Sequence, residues 1–437
     1  MTVEFNTITM MKKLINIQSL LWLVVVSFFI VSCCKQEPID TPEPINEIKL
    51  SQKLQANDGL ASDYFGSSVA ISGDYAIVGA FSDTVGGNQD KGSAYIFQYS
   101  GSSWSQQAKL IPSDGMIDDH FGYSVSISGD YAIVGTGESD INWTNKGSAY
   151  IFHRTGNIWV QQVKLLADDG MEGDQFGNSV SISGDYAIVG AYHDDVERNL
   201  YQGSAYIFHR AGDSWSLQAK LTASDGRRDD HFGYSVSISG DYAIVGAVFD
   251  NVGGNYRQGS AYIFHRNGSS WEQQVQLTAS DGWIGDQFGY SVSISGDYAI
   301  VGAYNDGVGW NHEGYKSGSA YVFHHSGSTW TQQAWLTASD GGYEDHFGNS
   351  VSITGDHAMV GAYFDDNEED DNQGSVYIFN RTGSTWMQQT KLSESDGGTS
   401  DNFGYSVSIS DDYALIGAWS EWFSPRVHKG SVYIYDK

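Results

Sequence analysis

The chain has 437 residues, of which 14% are aromatic and 17% charged, and its formal net charge is −30. The aromatic content and modest charge density exclude a disordered chain. The acidic balance excludes nucleic acid as a partner, because phosphate binding needs Lys and Arg to replace counterions, and it favours cations, basic proteins or neutral ligands such as sugars.

In chain order, the first element is an export signal. Lys12 and Lys13 form a short basic region, and the run from Leu20 to Val31 carries no charge. The run ends Ile30-Val31-Ser32-Cys33, which resembles the lipobox of bacterial lipoproteins: an apolar residue, two tolerant positions with a small one last, then cysteine. The resemblance implies cleavage before Cys33 and a lipid on its sulfur. An uncleaved membrane anchor over about residues 14–32 is the alternative. Either arrangement puts the rest of the chain outside the cytoplasm, at a cell envelope or surface. Cys33 and Cys34 are the only cysteines, so the remainder of the chain has no disulfide, thiolate nucleophile or Cys metal site. Residues 35–47 hold Pro38, Pro42 and Pro44, three of the five prolines. That composition builds no core and reads as an extended tether. The expected division is a signal peptide over 1–32, a lipid-anchored tether over 33–47 and one repeat domain over 48–437.

Within that domain Phe-Gly pairs begin at Phe65, Phe121, Phe176, Phe232, Phe288, Phe347 and Phe403, at steps of 56, 55, 56, 56, 59 and 56 residues. A fixed period of this length means an array of equal units. The second copy shows what one unit is. Ser124-Val125-Ser126-Ile127-Ser128 alternates with period two and reads as a strand. Gly129-Asp130 is a two-residue hairpin turn, and Tyr131–Val134 is the second strand. After a variable loop, Gly147–Phe152 is the third. Trp159–Leu165 is the fourth, with Trp159, Gln161, Val163 and Leu165 expected on one face and Val160, Gln162 and Lys164 on the other. Six units carry the Trp-x-x-Gln strand (Trp104, Trp159, Trp215, Trp271, Trp330, Trp386), and the last stops after its third strand. The missing strand is at the other end, where Ile48–Leu54 aligns with Trp104–Leu110. The expected fold is all-β: a seven-bladed β-propeller of four-stranded antiparallel blades, closed by the N-terminal strand completing the last blade.

Strand alternation puts the four-to-one and two-to-three loops on one face of such a ring. That face receives two Asp from each unit. One set precedes Gly (Asp58, Asp114, Asp169, Asp225, Asp281, Asp340, Asp396) and the other lies two residues before Phe (Asp63, Asp119, Asp174, Asp230, Asp286, Asp345, Asp401). The leading expectation is that each carboxylate bonds backbone N–H groups of its own loop. The alternative is one calcium ion per blade between the two sets. The two-to-three loops vary. Five open on an aromatic residue (Phe81, Tyr192, Tyr304, Tyr363, Trp419), expected either to wedge between blades or to meet ligand. With the further aromatics of these loops they supply the ligand-contact candidates Trp143, Tyr192, Phe249, Tyr304, Trp310, Tyr315, Trp419 and Trp422. His120, His231 and His346 alternate with Gln175, Gln287 and Asn402 just before Phe-Gly, a hydrogen-bonding position. No catalytic motif stands out, so no enzyme is expected. A polysaccharide hydrolase or lyase on the same face is the alternative, and would need a unique acid–base pair.

The phrase Ala-Ser-Asp-Gly-x-x-x-Asp-x-Phe-Gly-x-Ser-Val-x-Ile-Ser-Gly-Asp, as in Ala223–Asp241 and Ala279–Asp297, resembles the FG-GAP repeats, whose best-known members form the seven-bladed propeller of integrin α subunits; the bacterial branch is the most similar. The resemblance implies extracellular binding or adhesion rather than one reaction. Integrin-type repeats hold calcium in the first hairpin through several carboxylates. Here that turn has one Asp per unit (Asp74, Asp130, Asp185, Asp241, Asp297, Asp356, Asp412), too few for six to eight oxygen ligands, so no cofactor is expected at these turns. The functional expectation is a surface lipoprotein whose ring binds a protein or glycan, with a scaffold role in an envelope complex as the second reading.

Overall fold

The structure is a computed structural model. It describes residues 48–437 except 138–145, 308–315, 367–371, 395–399, 421 and 424–426. Cys33, the signal and the tether, and with them Asp396, Trp143, Trp310 and Tyr315, lie outside the described residues.

Seven four-stranded antiparallel sheets form the ring. Six are built from consecutive strands. The seventh takes its outer strand, Lys49–Leu54, from the other end of the chain. That strand pairs with Ser431–Asp436 through Leu50↔Tyr435, Gln52↔Ile434 and Leu54↔Val432, so the expected closure is present. Blades are numbered 1 to 7 from the sheet that begins at Phe65.

Each apolar core lies between two blades rather than within one. Ile77, Ile96 and Leu110 of blade 1 pack with Phe121, Tyr150, Phe152 and Trp159 of blade 2. Leu54, Leu415 and Ile434 of blade 7 pack with Phe65, Tyr95 and Trp104 of blade 1. Neighbouring blades meet at backbone. In blade 1 a Cβ added to Gly79 would lie 2.0 Å from the carbonyl oxygen of Gly122 in blade 2. The Ser68 hydroxyl donates to that same oxygen at 2.8 Å. This junction recurs around the ring and ends on Ser406, which donates to Gly66 O at 2.8 Å and so joins blade 7 to blade 1. The two repeated glycines are therefore close-approach positions, where any side chain would push the blades apart.

The fourth strand departs from simple alternation. In blade 2, Gln161 faces Phe152 and Val163 faces Ile151, so Gln162 is an inserted bulge residue. The bulge flips the rest of the strand. Trp159 packs toward blade 1, whereas Val163 and Leu165 pack toward blade 3. The expected single face of Trp159, Gln161, Val163 and Leu165 is thus corrected: the strand serves both neighbouring cores. The bulged Gln also makes an inter-blade bond, because Trp159 Nε1 donates to Gln107 Oε1 of blade 1 at 2.8 Å. The same bond joins Trp215 to Gln162, Trp271 to Gln218, Trp330 to Gln274 and Trp386 to Gln333.

The closing strand lacks both halves of this clasp. It has Ile48 where the other blades have Trp, and Ser51 at the bulge where they have Gln. Gln389 Oε1 and Trp104 Nε1, the groups that would meet those residues, are buried without partners. Gln52 supplies a different link: its Nε2 donates to Trp104 O at 2.9 Å and its Oε1 accepts from Trp104 N at 2.9 Å. Leaving Gln107 Oε1 unpaired in a Trp159→Phe variant is expected to cost about 1 kcal/mol more than Trp104→Phe, which removes an already orphaned donor. Urea midpoints of the two variants check this.

Candidate functional site

On one rim of the ring the two loop types hydrogen-bond to each other. The loop after the second strand of blade 1 meets the loop leading into blade 2 through His120 N to Asp90 O (3.1 Å) and Phe121 N to Lys91 O (3.0 Å). Between blades 3 and 4 the same contact runs through Asp229 N to Leu200 O (2.9 Å) and His231 N to Tyr201 O (3.2 Å). The residue before each Phe-Gly has positive φ, from 51° at His120 to 62° at Gln175. A left-handed non-glycine residue costs roughly 1 kcal/mol, and the paired loops hold it there.

The acidic residues of this rim do two jobs. In the set two residues before Phe, six carboxylates accept from a backbone N–H three residues upstream: Leu60 N to Asp63 at 2.6 Å, Met116 N to Asp119 at 2.7 Å, Met171 N to Asp174 at 2.6 Å, and likewise Arg227 to Asp230, Trp283 to Asp286 and Gly342 to Asp345. The set before Gly keeps a backbone hydrogen bond at Asp58, Asp114, Asp169 and Asp340, and its carboxylates also meet side chains. Lys109 Nζ lies 2.6 Å from both Asp58 and Asp83, and Tyr95 Oη lies 2.9 Å from Asp58 and 3.1 Å from Asp83. One ammonium thus bridges two carboxylates and ties the loop to the outer strands. Lys220 joins Asp169 and Asp194, and Lys391 joins Asp340 and Asp365, in the same way. Asp83, Asp194, Asp250, Asp306 and Asp365 form a third, buried set.

Two blades have lost the lysine. In blade 4, Gln276 Nε2 donates to Asp250 at 2.9 Å. In blade 5, Trp335 Nε1 turns away to Ser319 at 2.9 Å, and Tyr321 Oη sits 3.0 Å from both Asp281 and Asp306. The proton affinities reflect these differences. Burial would raise Asp58, but Lys109 and Tyr95 hold it below the usual carboxylate range. Asp174 and Asp345, in lysine-bearing blades, are pushed up by burial to about 6. Asp230 and Asp286, without a lysine, rise to about 7, from burial first and then from Asp250 and Asp306 respectively. Among the described residues no group of three or more His, Cys, Asp or Glu side chains is arranged to hold a metal ion.

Aromatic rings cover the inner part of the same rim. The loop-opening residues are wedges between blades. Tyr192 contacts His231 and Tyr234 of blade 4, both at 5.4 Å between ring centroids. Tyr304 meets His346 of blade 6 at 5.1 Å, and Trp419 meets Tyr64 of the loop into blade 1 at 4.8 Å. Phe249 belongs to a longer track across blades 3 and 4. Tyr201 to His193 is 4.9 Å, His193 to His231 is 4.9 Å and His231 to Phe249 is 4.8 Å. The Arg257 guanidinium then lies 4.5 Å from the Phe249 centroid and 5.1 Å from that of Tyr256. Burial, then His193, holds His231 down near 4, so its ring is neutral at pH 7. Trp422 lies in a short ribbon, Trp422–Phe423 paired with Val427–His428.

The FG-GAP repeat profile matches residues 49–97, 104–152, 159–208, 215–264, 271–323, 330–379 and 386–435. The chain belongs to the FG-GAP repeat family. No curated protein matches it. Among solved structures, a chain of a mitotic checkpoint complex is similar at 14% identity and a TM-score of 0.52, covering 92% of this chain and 97% of that one. Saccharomyces cerevisiae Sqt1 is similar at 10% identity and a TM-score of 0.45, covering 85% and 83%. The first of these likenesses bears on the fold alone.

In this FG-GAP ring four of the first-hairpin carboxylates face arginine side chains. Asp130, Asp185, Asp241 and Asp356 pair with Arg154, Arg210, Arg266 and Arg381. Each arginine also lies over a tyrosine of the preceding blade, as Arg154 does 4.3 Å from the Tyr75 centroid. The buried third Asp set escaped the sequence reading, although Gly-Ala-x-x-Asp recurs in five units. Tyr201, Arg257 and Trp283 escaped because they occur once.

A carboxyl with a raised folded pKa binds more protons folded than unfolded. Stability therefore falls as pH rises from about 4 to about 7 and stays reduced above that. Asp286→Asn, which keeps an acceptor for Trp283 N–H, is expected to flatten that fall, and Trp335→Lys to lower the Asp286 pKa. Thermal melts from pH 4 to 8 and carboxyl-carbon NMR titration check both.

Proposed function

We propose that this chain is a lipid-anchored protein of a bacterial cell envelope whose propeller binds an extracellular protein or glycan on its loop rim. FG-GAP propellers are a fold generally used for binding. The observation that carries the reading is the ring-to-ring track from Tyr201 to Tyr256, which emerges beside exposed aromatic side chains. Tyr201 is 44% exposed, Tyr256 57% and Trp283 45%. Large aromatic groups left in water on a rigid support favour ligand contact. The blades hold the loops while the loop residues vary, which is how a recognition surface is built on a repeat. Anchoring rests on Ile30–Cys33, and no helix among the described residues is long and apolar enough to cross a membrane.

The full chain is expected to capture ligand from a glycan or extracellular-protein array, and Tyr201→Ala with Tyr256→Ala to weaken that capture at least tenfold. Undiminished capture by the double variant would reject this rim as the site. Cys33→Ala is expected to shift the protein from the membrane to the soluble fraction and to abolish incorporation of labelled fatty acid. Retention of both would reject the lipid anchor.

A further inference from the structure

The arginines are distributed unevenly. Lys and Arg number 23 against 53 Asp and Glu. Arg154, Arg210, Arg266 and Arg381 are paired at the first hairpins. Every other described arginine, namely Arg198, Arg227, Arg228 and Arg257, falls on the loop rim of blades 3 and 4. The loops that carry them touch. Asn199 Nδ2 donates to Gly226 O at 3.2 Å, and Asp229 N to Leu200 O at 2.9 Å. His231 and Phe249 then continue the contact to Arg257. Gly285 N donates to Tyr256 O at 3.0 Å, which brings Trp283 and the exposed Ile284 alongside. One sector of a strongly acidic ring thus gathers the described arginines that are not paired at hairpins, beside exposed aromatic rings and among the carboxylates Asp195, Glu197, Asp225 and Asp229.

We propose that this sector binds an acidic carbohydrate, with Arg227, Arg228 and Arg257 pairing its carboxylates and Tyr201, Tyr256 and Trp283 stacking on its sugar rings. The proposal rests on the reading of the loop rim as a binding surface, and names the ligand class. A guanidinium held over two rings is restricted in advance and keeps N–H groups for bidentate carboxylate pairing. Arg198 and Arg227 are exposed. Arg228 meets Asp229 at 3.3 Å with both side chains more than half exposed, a surface pair that a ligand carboxylate can displace. The charge on the rest of the ring is screened beyond about 8 Å at physiological ionic strength, so a ligand carboxylate has to sit on the arginines and clear of Asp195, Glu197, Asp225 and Asp229.

The ring contains its own comparison. The two-to-three loops of blades 1, 3 and 4 share one turn, bridged Val85↔Asn88, Val196↔Asn199 and Val252↔Asn255. The equivalent residues Asp90, Tyr201 and Arg257 have φ of 51°, 54° and 54°. On that common backbone blade 1 places Gln89 and Asp90, where blade 3 has Leu200 and Tyr201 and blade 4 has Tyr256 and Arg257. Likewise Arg227-Arg228 stands where blade 1 has Leu60-Ala61 and blade 5 has Trp283-Ile284. The backbone does not require these side chains. A carbohydrate fits better than an acidic peptide, because the sector is made of loops and broad ring faces and has no free strand edge to add a peptide strand to.

Calorimetry on the full chain tests this with three probes: a galacturonic acid hexamer, a neutral glucose hexamer and a glutamate hexapeptide. The galacturonate is expected to bind tightest, with affinity falling as salt rises. The paired substitution Arg227→Gln/Arg228→Gln is expected to weaken it by about tenfold or more, Tyr256→Ala by a similar factor, and Lys91→Gln on blade 1 not at all. Unchanged galacturonate binding by the arginine variant overturns the proposal, as does the absence of galacturonate binding. Equal glutamate-peptide binding that ignores Tyr256→Ala overturns it in favour of a peptide site. Neutral-hexamer binding lost in Tyr256→Ala but kept in the arginine variant also overturns it, yet leaves the loop-rim reading standing. Failure of the array capture would remove that reading itself.

Discussion

The ring depends on one contact, the approach of each second-strand glycine to the backbone carbonyl of the next blade. The Gly79–Gly122 junction sets the distance between blades 1 and 2, and the Ser68 hydroxyl caps the same oxygen. Given that spacing, the side chains of two sheets share one core, in which Ile77, Ile96 and Leu110 of blade 1 pack with Phe121, Tyr150 and Phe152 of blade 2. No blade has enough apolar surface of its own, so stability is cooperative between neighbours. Seven junctions that repeat almost unchanged also explain why the repeated residues say little about ligand. They are occupied with each other.

A second layer of order is electrostatic. The lysine of the fourth strand, the tyrosine of the third and two loop aspartates form a knot that ties the rim loops to the outer strands. The knot makes a rigid platform from segments that would otherwise be the loosest in the fold. Where the lysine is replaced, at Gln276 and Trp335, the knot's carboxylates remain, and the neighbouring Asp230 and Asp286 are raised to about 7, first by burial. The same two blades border the arginine-bearing aromatic sector, so the irregular part of the electrostatics and the irregular part of the surface coincide.

Much of the architecture was legible in the sequence. The period of the Phe-Gly pairs implied equal units, and the displaced strand Ile48–Leu54 implied closure, because an open array has no use for a split unit. The loops sharing one rim followed from strand alternation. The bulge at Gln162 was not legible: an inserted residue leaves the apolar pattern of Trp159, Val163 and Leu165 looking like ordinary alternation, and only the pairing register shows the flip. The lysine knot was missed for a different reason, since the loop aspartate lies 51 residues from its lysine, as Asp58 does from Lys109, and the two meet only when the loop folds onto the next blade. Arg227, Arg228 and Arg257 were passed over because reading by period averages away whatever happens once.

The singularity of the Arg227-Arg228 pair has a consequence for valence. The backbone of the ring is close to sevenfold, yet the chemistry of its rim has no rotational symmetry. One propeller therefore presents one such patch, and two rings joined through it would be related by a twofold axis, never by the sevenfold of their own architecture. Any polymer engaged there would be gripped by several molecules side by side, each contributing a single hold, so the density of the protein on its support would govern avidity.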